Sequence, residues 1–366
     1  MISDSISRRI LSIRWLGIVF VVLCHSVQVP LFDANEFDFF HCMNFNLGKP
    51  YLFFYSFFIY GVCCGAVSVF FLISGYLQFS SSQTNYLKIL KKRAMNLLVP
   101  YLTWTLIIFA GAYFTFPFFK PYSKLCFWGD ELSFQNLLSA IIGNYRSAWI
   151  SGTHYPFVYQ FWFIRDLFVI TIFLPVFKFL VEKHSTYLLS FSALIFLFGY
   201  RPVIIGADAL LYFSLGAVFA NKKIDFFQII DKYVSWGFVI VYSVFISLIT
   251  YCLKCKTNAE SNCFVQLSAA LLLLKLANEI VKKEKLFKFF NYMSTQSFFL
   301  YCFHGHWLID MLMVVFSLIL PVDTSLGIIT AIILLFISDL LVSTLIGIFL
   351  QRRMPKLFAI LTGFRT

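Results

Sequence analysis

Two residues of the amino-terminal apolar run, Arg14 and His25, have side chains that could take part in chemistry. In a helix, the eleven steps between them return to within about 20° of the starting direction, so the two side chains share a face. They would lie about 16 Å apart along the axis, which places His25 near the middle of a bilayer when Arg14 stands at its edge. A neutral imidazole can accept a proton at physiological pH, and a guanidinium binds anionic groups. The alternative is structural, with Arg14 extending to the membrane surface and His25 bonding a neighbouring helix.

A second set of polar side chains recurs in an apolar run near the carboxyl terminus. Ser297, Tyr301 and His304 stand at positions i, i+4 and i+7, so they share one face of a helix. If that helix starts near residue 294 at the cytoplasmic surface, His304 lies about 15 Å into the bilayer, at about the depth of His25. If the two helices are neighbours, they form a site with two imidazoles and two hydroxyls. The alternative is a hydrogen-bonded contact between helices.

Charged residues outside these two runs indicate where ligands could bind. A basic cluster follows the second apolar run, in a segment that we expect to be a loop. Its members are Lys88, Lys91, Lys92 and Arg93. This cluster could hold the phosphates of a nucleotide-containing donor, or it could attract anionic lipid and fix topology. Arg165 and Asp166 lie near the external end of a later run, where they could orient an acceptor. Alternatively, they pair with Arg201 or Asp208 across helices.

The elements that position these residues follow from the composition. Of the 366 residues, 60% are hydrophobic and only 13% are charged, and the mean hydropathy is +0.83. In a soluble protein of this size about a quarter of the residues would be charged, so lipid must cover much of the surface of this one. The net charge of +12 lies in short clusters between apolar runs, whereas a nucleic-acid-binding protein would form a continuous basic face. We therefore expect membrane lipid, and no nucleic acid, as a partner.

Ten apolar runs approach the length of about 20 residues that a membrane-spanning helix needs. They cover residues 12 to 31, 51 to 79, 96 to 117, 160 to 181, 187 to 204, 206 to 221, 233 to 252, 263 to 281, 295 to 320 and 326 to 350. Twenty lysine and arginine residues fall on one side of this arrangement and seven on the other, and the richer side is cytoplasmic. The sequence predicts an all-α polytopic membrane protein of about ten helices, with both termini in the cytoplasm.

Six segments of the chain, in this order, resemble the integral-membrane acyltransferase family 3. They are Arg14 with His25, FFLISGY at 70–76, Lys92 and Arg93 with LLVPY at 97–101, FWFIRDL at 161–167, YFSLG at 212–216, and the face from Ser297 to His304. The resemblance extends over nearly the whole chain and implies a single transmembrane acyltransferase domain, residues 1–366, with no appended extracytoplasmic hydrolase-like domain. One position departs from the family pattern, since many members carry an acidic residue three positions before the first-helix arginine and this chain has Leu11 there.

The resemblance implies transfer of an acyl group, commonly acetyl, from cytoplasmic acyl-CoA to a hydroxyl of a cell-surface polysaccharide or lipid-linked sugar at the bacterial cytoplasmic membrane. In such a reaction His25 acts as general base or carries the acyl group itself. Arg14 binds a CoA phosphate or orients the thioester, and the basic cluster binds the donor beside it. Ser297, Tyr301 and His304 complete the catalytic candidates. The candidates for binding the acceptor are Ser74, Trp162, Arg165 and Asp166.

Two rival functions would use the same buried polar residues without acyl transfer. In a transporter or flippase for a polysaccharide or lipid-linked sugar, these residues would line a translocation path. In a noncatalytic partner of an envelope-polysaccharide assembly machine, they would bind glycan only. Consumption of a thioester distinguishes the acyltransferase from both.

The cysteines do not predict a metal site. Cys252 and Cys255 form a pair with a two-residue spacer, but no second pair accompanies them, and a structural zinc site needs four ligands. We therefore expect no metal cofactor, and acyl-CoA and the carbohydrate acceptor are the expected small-molecule partners.

Overall fold

The computed structural model describes residues 3–27, 53–54, 56–119, 156–198, 205–252, 263–321 and 324–364. No β-strand occurs among these residues, which are almost entirely helical. In chain order the α-helices are α1 Asp4–Val27, α2 Ala66–Ser80, α3 Tyr86–Arg93, α4 Val99–Phe119, α5 Trp162–Ile172, α6 Leu174–Lys183, α7 Ser185–Leu197, α8 Ala207–Asn221, α9 Phe226–Tyr233, α10 Trp236–Cys252, α11 Cys263–Lys282, α12 Glu284–Ser294, α13 Ser297–Phe303, α14 His306–Ile319, α15 Ser325–Arg353 and α16 Pro355–Leu361. Two π-helices, Phe57–Cys63 and Ala94–Leu98, and the 3-10 turn Tyr159–Phe161 complete the helical structure. Arg201 and Cys255 lie outside the described residues.

The helical class predicted from the sequence is confirmed, and helices overlap all ten predicted spans. Within the described residues, four stretches are long and apolar enough to cross a membrane. They are Phe57–Ser80, Tyr86–Thr115, Phe264–Lys282 and Ser325–Arg353. Two bent pairs raise the number to six if each is one span: Phe226–Tyr233 with Trp236–Cys252, bent by 89°, and Ser297–Phe303 with Leu308–Ile319, bent by 64°. The chain is therefore a helical membrane protein, and the arrangement of ten crossings stays a prediction.

The chain divides into two compact units. The first comprises Met1–Val21, Tyr55–Arg93 and Asp166–Ser297, and the second comprises Val22–Phe54, Ala94–Arg165 and Phe298–Thr366.

In the first unit, α2 and α8 approach so closely that glycine is required at two contact points. A Cβ atom at Gly216 would overlap the carbonyl oxygen of Leu72, and a Cβ atom at Gly75 would overlap that of Phe213. Small residues permit this approach. The hydrophobic effect does not drive helices together within lipid, so the van der Waals packing at this contact stabilises the pair instead. The FFLISGY and YFSLG segments, which contain the two glycines, therefore serve helix packing.

The start of α1 is fixed within the first unit by polar contacts to three later helices. Arg9 forms an ion pair with Asp231 of α9 at 2.7 Å and donates a hydrogen bond to Asn278 of α11 at 2.8 Å. Arg8 forms an ion pair with Glu284 of α12. These contacts hold the first turns of α1 in place.

The basic segment predicted to be a loop is helical instead. It forms α3, and a continuous helical stretch runs through the π-helix Ala94–Leu98 into α4, from Tyr86 to Thr115. The prediction was wrong because a cluster of charged residues does not by itself end a helix. The segment contains no glycine or proline before Pro100, and leucine, lysine and arginine all favour a helix.

The predicted continuous helix over residues 295 to 320 is broken at Gly305 in the second unit. α13 ends at Phe303, Gly305 adopts a φ of +114°, and α14 begins at His306. A side chain is strained at this φ, and a Cβ atom at Gly305 would also lie 2.7 Å from Nε2 of Gln160. The break leaves His304 at the joint between the two helices.

Candidate active site

In the second unit, His25 near the end of α1 meets His304, which follows α13. Nδ1 of His25 and Nε2 of His304 are 2.8 Å apart, which is a hydrogen-bond distance, and the two ring planes differ by only 8°. The rings of Tyr159 and His25 form a T-shaped contact, with 4.9 Å between the ring centroids. The structure thus brings together the two imidazoles that the sequence placed at a similar depth.

His304 is fully buried and is held by its surroundings through both ring and backbone. Its Nδ1 lies 2.7 Å from the carbonyl oxygen of Leu300, one turn earlier in α13. Its own carbonyl oxygen accepts a hydrogen bond of 2.8 Å from Nε2 of Gln160. The Tyr301 hydroxyl in turn donates to the carbonyl oxygen of Gln160. These interlocked bonds fix the orientation of the His304 ring.

The predicted polar face of residues 297, 301 and 304 is therefore divided among different tasks. His304 contacts His25, and Tyr301 supports the turn that carries Gln160. Ser297 opens α13, and its buried hydroxyl oxygen has no hydrogen-bond partner among the described residues.

Tyr159 and Gln160 are site residues that sequence reasoning missed. Both belong to the 3-10 turn that directly precedes α5. The available signal was Gln160 itself, since a polar amide at the start of an apolar run usually makes specific hydrogen bonds. Tyr159 carried no comparable signal, because aromatic residues make up 20% of the chain.

In the first unit, Arg14 lies beside a small cavity of about 150 Å³. The cavity is lined by Ser7, Ile10, Leu11, Arg14 and Leu77. Within the part of the chain that the structure describes, no residue forms a hydrogen bond or ion pair with Arg14. Leu11 stands where many members of the resembled family have a carboxylate, and a leucine side chain in the cavity lining does not neutralise the guanidinium. The arrangement suits a ligand with an anionic group and an apolar part.

The basic cluster of α3 is linked to this cavity through the end of α2. Arg93 donates a hydrogen bond of 3.1 Å to Oε1 of Gln78, the residue after the cavity-lining Leu77. Lys88, Lys91 and Lys92 are exposed on α3. Consecutive residues of α2 thus line the cavity beside Arg14 and accept the hydrogen bond of Arg93.

The candidates for acceptor binding have different surroundings. Asp166 is fully buried, and its Oδ2 accepts a hydrogen bond of 2.8 Å from the backbone amide of Gly206, the residue that caps α8. This contact favours the structural alternative for Asp166, although the pairing with Arg201 lies outside the described residues. Ser74, Trp162 and Arg165 are each partly exposed.

No cluster of three or more histidine, cysteine, aspartate or glutamate side chains that could hold a metal ion occurs among the described residues.

Comparison with protein families supports the assignment suggested by these motifs. The family model described as "Acyltransferase domain" matches residues 10–348, which is nearly the whole chain. This match confirms the family resemblance found in the sequence. Comparisons with curated proteins and with solved structures gave no match.

Proposed function

This chain belongs to acyltransferase family 3, and we propose that it is a membrane O-acyltransferase that moves an acetyl group from cytoplasmic acetyl-CoA to a hydroxyl of a cell-surface polysaccharide or lipid-linked sugar. The observation that carries the proposal is the hydrogen-bonded pair of His25 and His304 in a membrane helix bundle. Ionisable side chains at membrane depth are costly, and those that occur there usually mark a functional site.

In the proposed reaction, His25 acts as the general base. A sugar hydroxyl is a poor nucleophile at neutral pH, and a neutral imidazole can take its proton as the oxygen attacks the thioester carbon. The carbon–sulfur bond then breaks, and the protonated His25 returns the proton to the departing CoA thiolate. The products are the sugar ester and CoA thiol, with no net proton gained or lost. The competing route forms an acyl-imidazole on His25 first.

The donor is bound on the cytoplasmic side by Arg14, and Arg93 and the lysines of α3 form a second binding site for its anionic groups. The cavity beside Arg14 is too small for a whole CoA molecule, so it takes one anionic group of the donor and the apolar atoms next to it. The guanidinium suits a phosphate because its planar fork can bond two oxygens at once. The exposed lysines of α3 add positive charge to the helix that carries Arg93.

We propose that the chain crosses the bacterial cytoplasmic membrane ten times, with both termini in the cytoplasm. Two observations support it. Loops with many lysine and arginine residues alternate with loops that have few, and helices overlap each of the ten predicted spans. With this topology Arg14 faces the side where acyl-CoA is made, and His25 lies about 16 Å further into the bilayer.

The test supplies acetyl-labelled CoA to inside-out membrane vesicles that contain matched amounts of wild-type protein, His25→Ala or His184→Ala. His184 is the control because it is an exposed histidine between α6 and α7. We expect label to reach the glycan fraction with wild type and His184→Ala, and to fall at least about 100-fold with His25→Ala. Label retained by the denatured wild-type protein would identify the acyl-imidazole route.

A folded, monodisperse His25→Ala protein with full transfer would contradict the catalytic assignment. If no variant consumes the thioester when acceptor glycan is present, the acyltransferase proposal fails. The transporter or flippase would then be the better explanation, and uptake or flipping of labelled lipid-linked sugar would be measured next.

A further inference from the structure

We infer that His304 is a positioning residue that holds His25 as the tautomer with its proton on Nδ1, so that Nε2 of His25 is the atom that receives the proton of the acceptor. This inference rests on the proposed function, because it names the reacting atom of that same site. It also gives His304 a role different from the catalytic one expected from the sequence.

The backbone of α13 sets the tautomer of His304. Nδ1 of His304 lies 2.7 Å from the carbonyl oxygen of Leu300. A carbonyl oxygen only accepts hydrogen bonds, so Nδ1 of His304 must carry a hydrogen. The neutral ring has a single N–H, and Nε2 of His304 therefore presents a lone pair.

That lone pair decides the tautomer of His25. Nε2 of His304 is 2.8 Å from Nδ1 of His25, so one of the two nitrogens must donate. Since Nε2 of His304 is the acceptor, Nδ1 of His25 donates, and Nε2 of His25 has the lone pair. An isolated neutral imidazole side chain prefers its proton on Nε2, the opposite arrangement. Without His304, most His25 side chains would carry a proton on the atom that must accept one.

His304 is poorly placed to be the base or the acyl carrier itself. Both of its ring nitrogens are engaged, Nδ1 with Leu300 and Nε2 with His25, and the residue is fully buried. A substrate would have to break one of these bonds to reach it. His25, which is partly exposed, is the member of the pair that a substrate can approach.

The same bond also stabilises the charged intermediate state. When Nε2 of His25 takes the proton of the sugar hydroxyl, the ring becomes an imidazolium, and its Nδ1–H bond to His304 becomes charge-assisted. The positive charge persists only until the proton passes to the CoA thiolate. Because Gln160 holds the His304 carbonyl at 2.8 Å and Tyr301 holds Gln160, little reorganisation is needed in this step.

The kinetic test compares three substitutions of His304 in the full-length protein in membranes. His304→Gln places an amide oxygen near the former Nε2, where it can accept from His25, whereas the shorter His304→Asn and the apolar His304→Leu cannot. We expect kcat to fall about 100-fold for the asparagine and leucine variants, and less than about tenfold for the glutamine variant. KM for both substrates should change less than threefold in all three. Equal losses in all three folded variants, or losses that appear mainly in KM, would overturn the inference.

A spectroscopic test reads the tautomer without requiring activity or a His304 variant. The protein contains six histidines, and the signals of His25 in nitrogen-15-histidine-labelled protein are identified by their loss in His25→Ala. We expect the His25 shifts to show a protonated Nδ1 and an unprotonated Nε2 in the wild type. A protonated Nε2 on His25 would overturn the inference even if acyl transfer is confirmed. The expected shifts in a protein that transfers no acyl group would uphold the tautomer and refute the proposed function.

Discussion

At the scale of single residues, the guanidinium of Arg14 lies beside an otherwise largely apolar cavity, and no described residue forms an ion pair with it. If a donor phosphate supplies the missing negative charge, Arg14→Ala should weaken donor binding. Hydrogen bonds to charged groups contribute about 1.5–3 kcal/mol, so we expect KM for acyl-CoA to rise about 10- to 100-fold with kcat little changed. Initial rates measured over a range of acyl-CoA concentrations check this.

The control for this prediction is Arg353→Ala, which removes an exposed arginine at the end of α15. It should leave KM for acyl-CoA unchanged. A loss of kcat at constant KM for Arg14→Ala would contradict donor binding and would indicate that Arg14 orients the thioester in the transition state.

The candidate site residues could be predicted because ionisable groups are rare at their depth, whereas the residues that support them could not. Arg14, His25 and His304 are ionisable groups in apolar runs, and helical spacing placed the two imidazoles at similar depths. Gln160 and Tyr159 reach the site through a 3-10 turn more than 130 positions after His25 in the chain, and no helical periodicity relates such distant segments. The hydrogen bond between the imidazoles is a tertiary contact for the same reason.

At the scale of helices, the contact of α2 with α8 predicts an unusual effect of alanine. Gly216→Ala would normally stabilise a helix, because alanine exceeds glycine in helix propensity by about 1 kcal/mol. Here the added Cβ atom would overlap the Leu72 carbonyl oxygen and lie 2.9 Å from the Tyr76 amide nitrogen. We expect a net loss of about 1–3 kcal/mol in the free energy of unfolding, measured as a lower Tm in detergent.

The matched control is Gly237→Ala in α10, where the nearest atom to the added Cβ is Oγ of Ser235 at 3.9 Å. This variant should have an unchanged or higher Tm, since propensity alone then operates. If both alanine variants are equally stable, the close packing of α2 on α8 is not what constrains residue 216.

The helices were predictable to within a few residues in most runs, because each contains an uninterrupted apolar stretch. The departures came where local chemistry and the apolar pattern disagreed. α3 is a helix without being apolar, since its lysines and leucines favour helix formation while its charges suggested a loop. Gly305 breaks a run that hydropathy treats as continuous, because a positive φ is not encoded in hydropathy at all.

At the scale of the whole molecule, the two bent pairs raise the number of candidate crossings among the described residues from four to six if each pair is one span. α9 and α10 differ in direction by 89°, which suits α9 lying along the surface while α10 crosses. α13 and Leu308–Ile319 differ by 64°, so this pair either crosses with a bend or returns to the side from which it entered. Each case predicts a different side for the residues that follow.

Reporter fusions distinguish these cases, because each case places one of the fusion sites on a different side of the membrane. With ten crossings, alkaline phosphatase fused after residue 258 should be active outside the cytoplasm, and fusions after residues 184 and 366 should be inactive. A fluorescent protein should show the opposite pattern, since it matures in the cytoplasm. An active phosphatase at residues 258 and 366 with an inactive one at 184 would mean that α13 and α14 form a re-entrant segment. His304, at the joint of that segment, would then be reached from the cytoplasmic side, and the acceptor would have to enter from the same side as acyl-CoA.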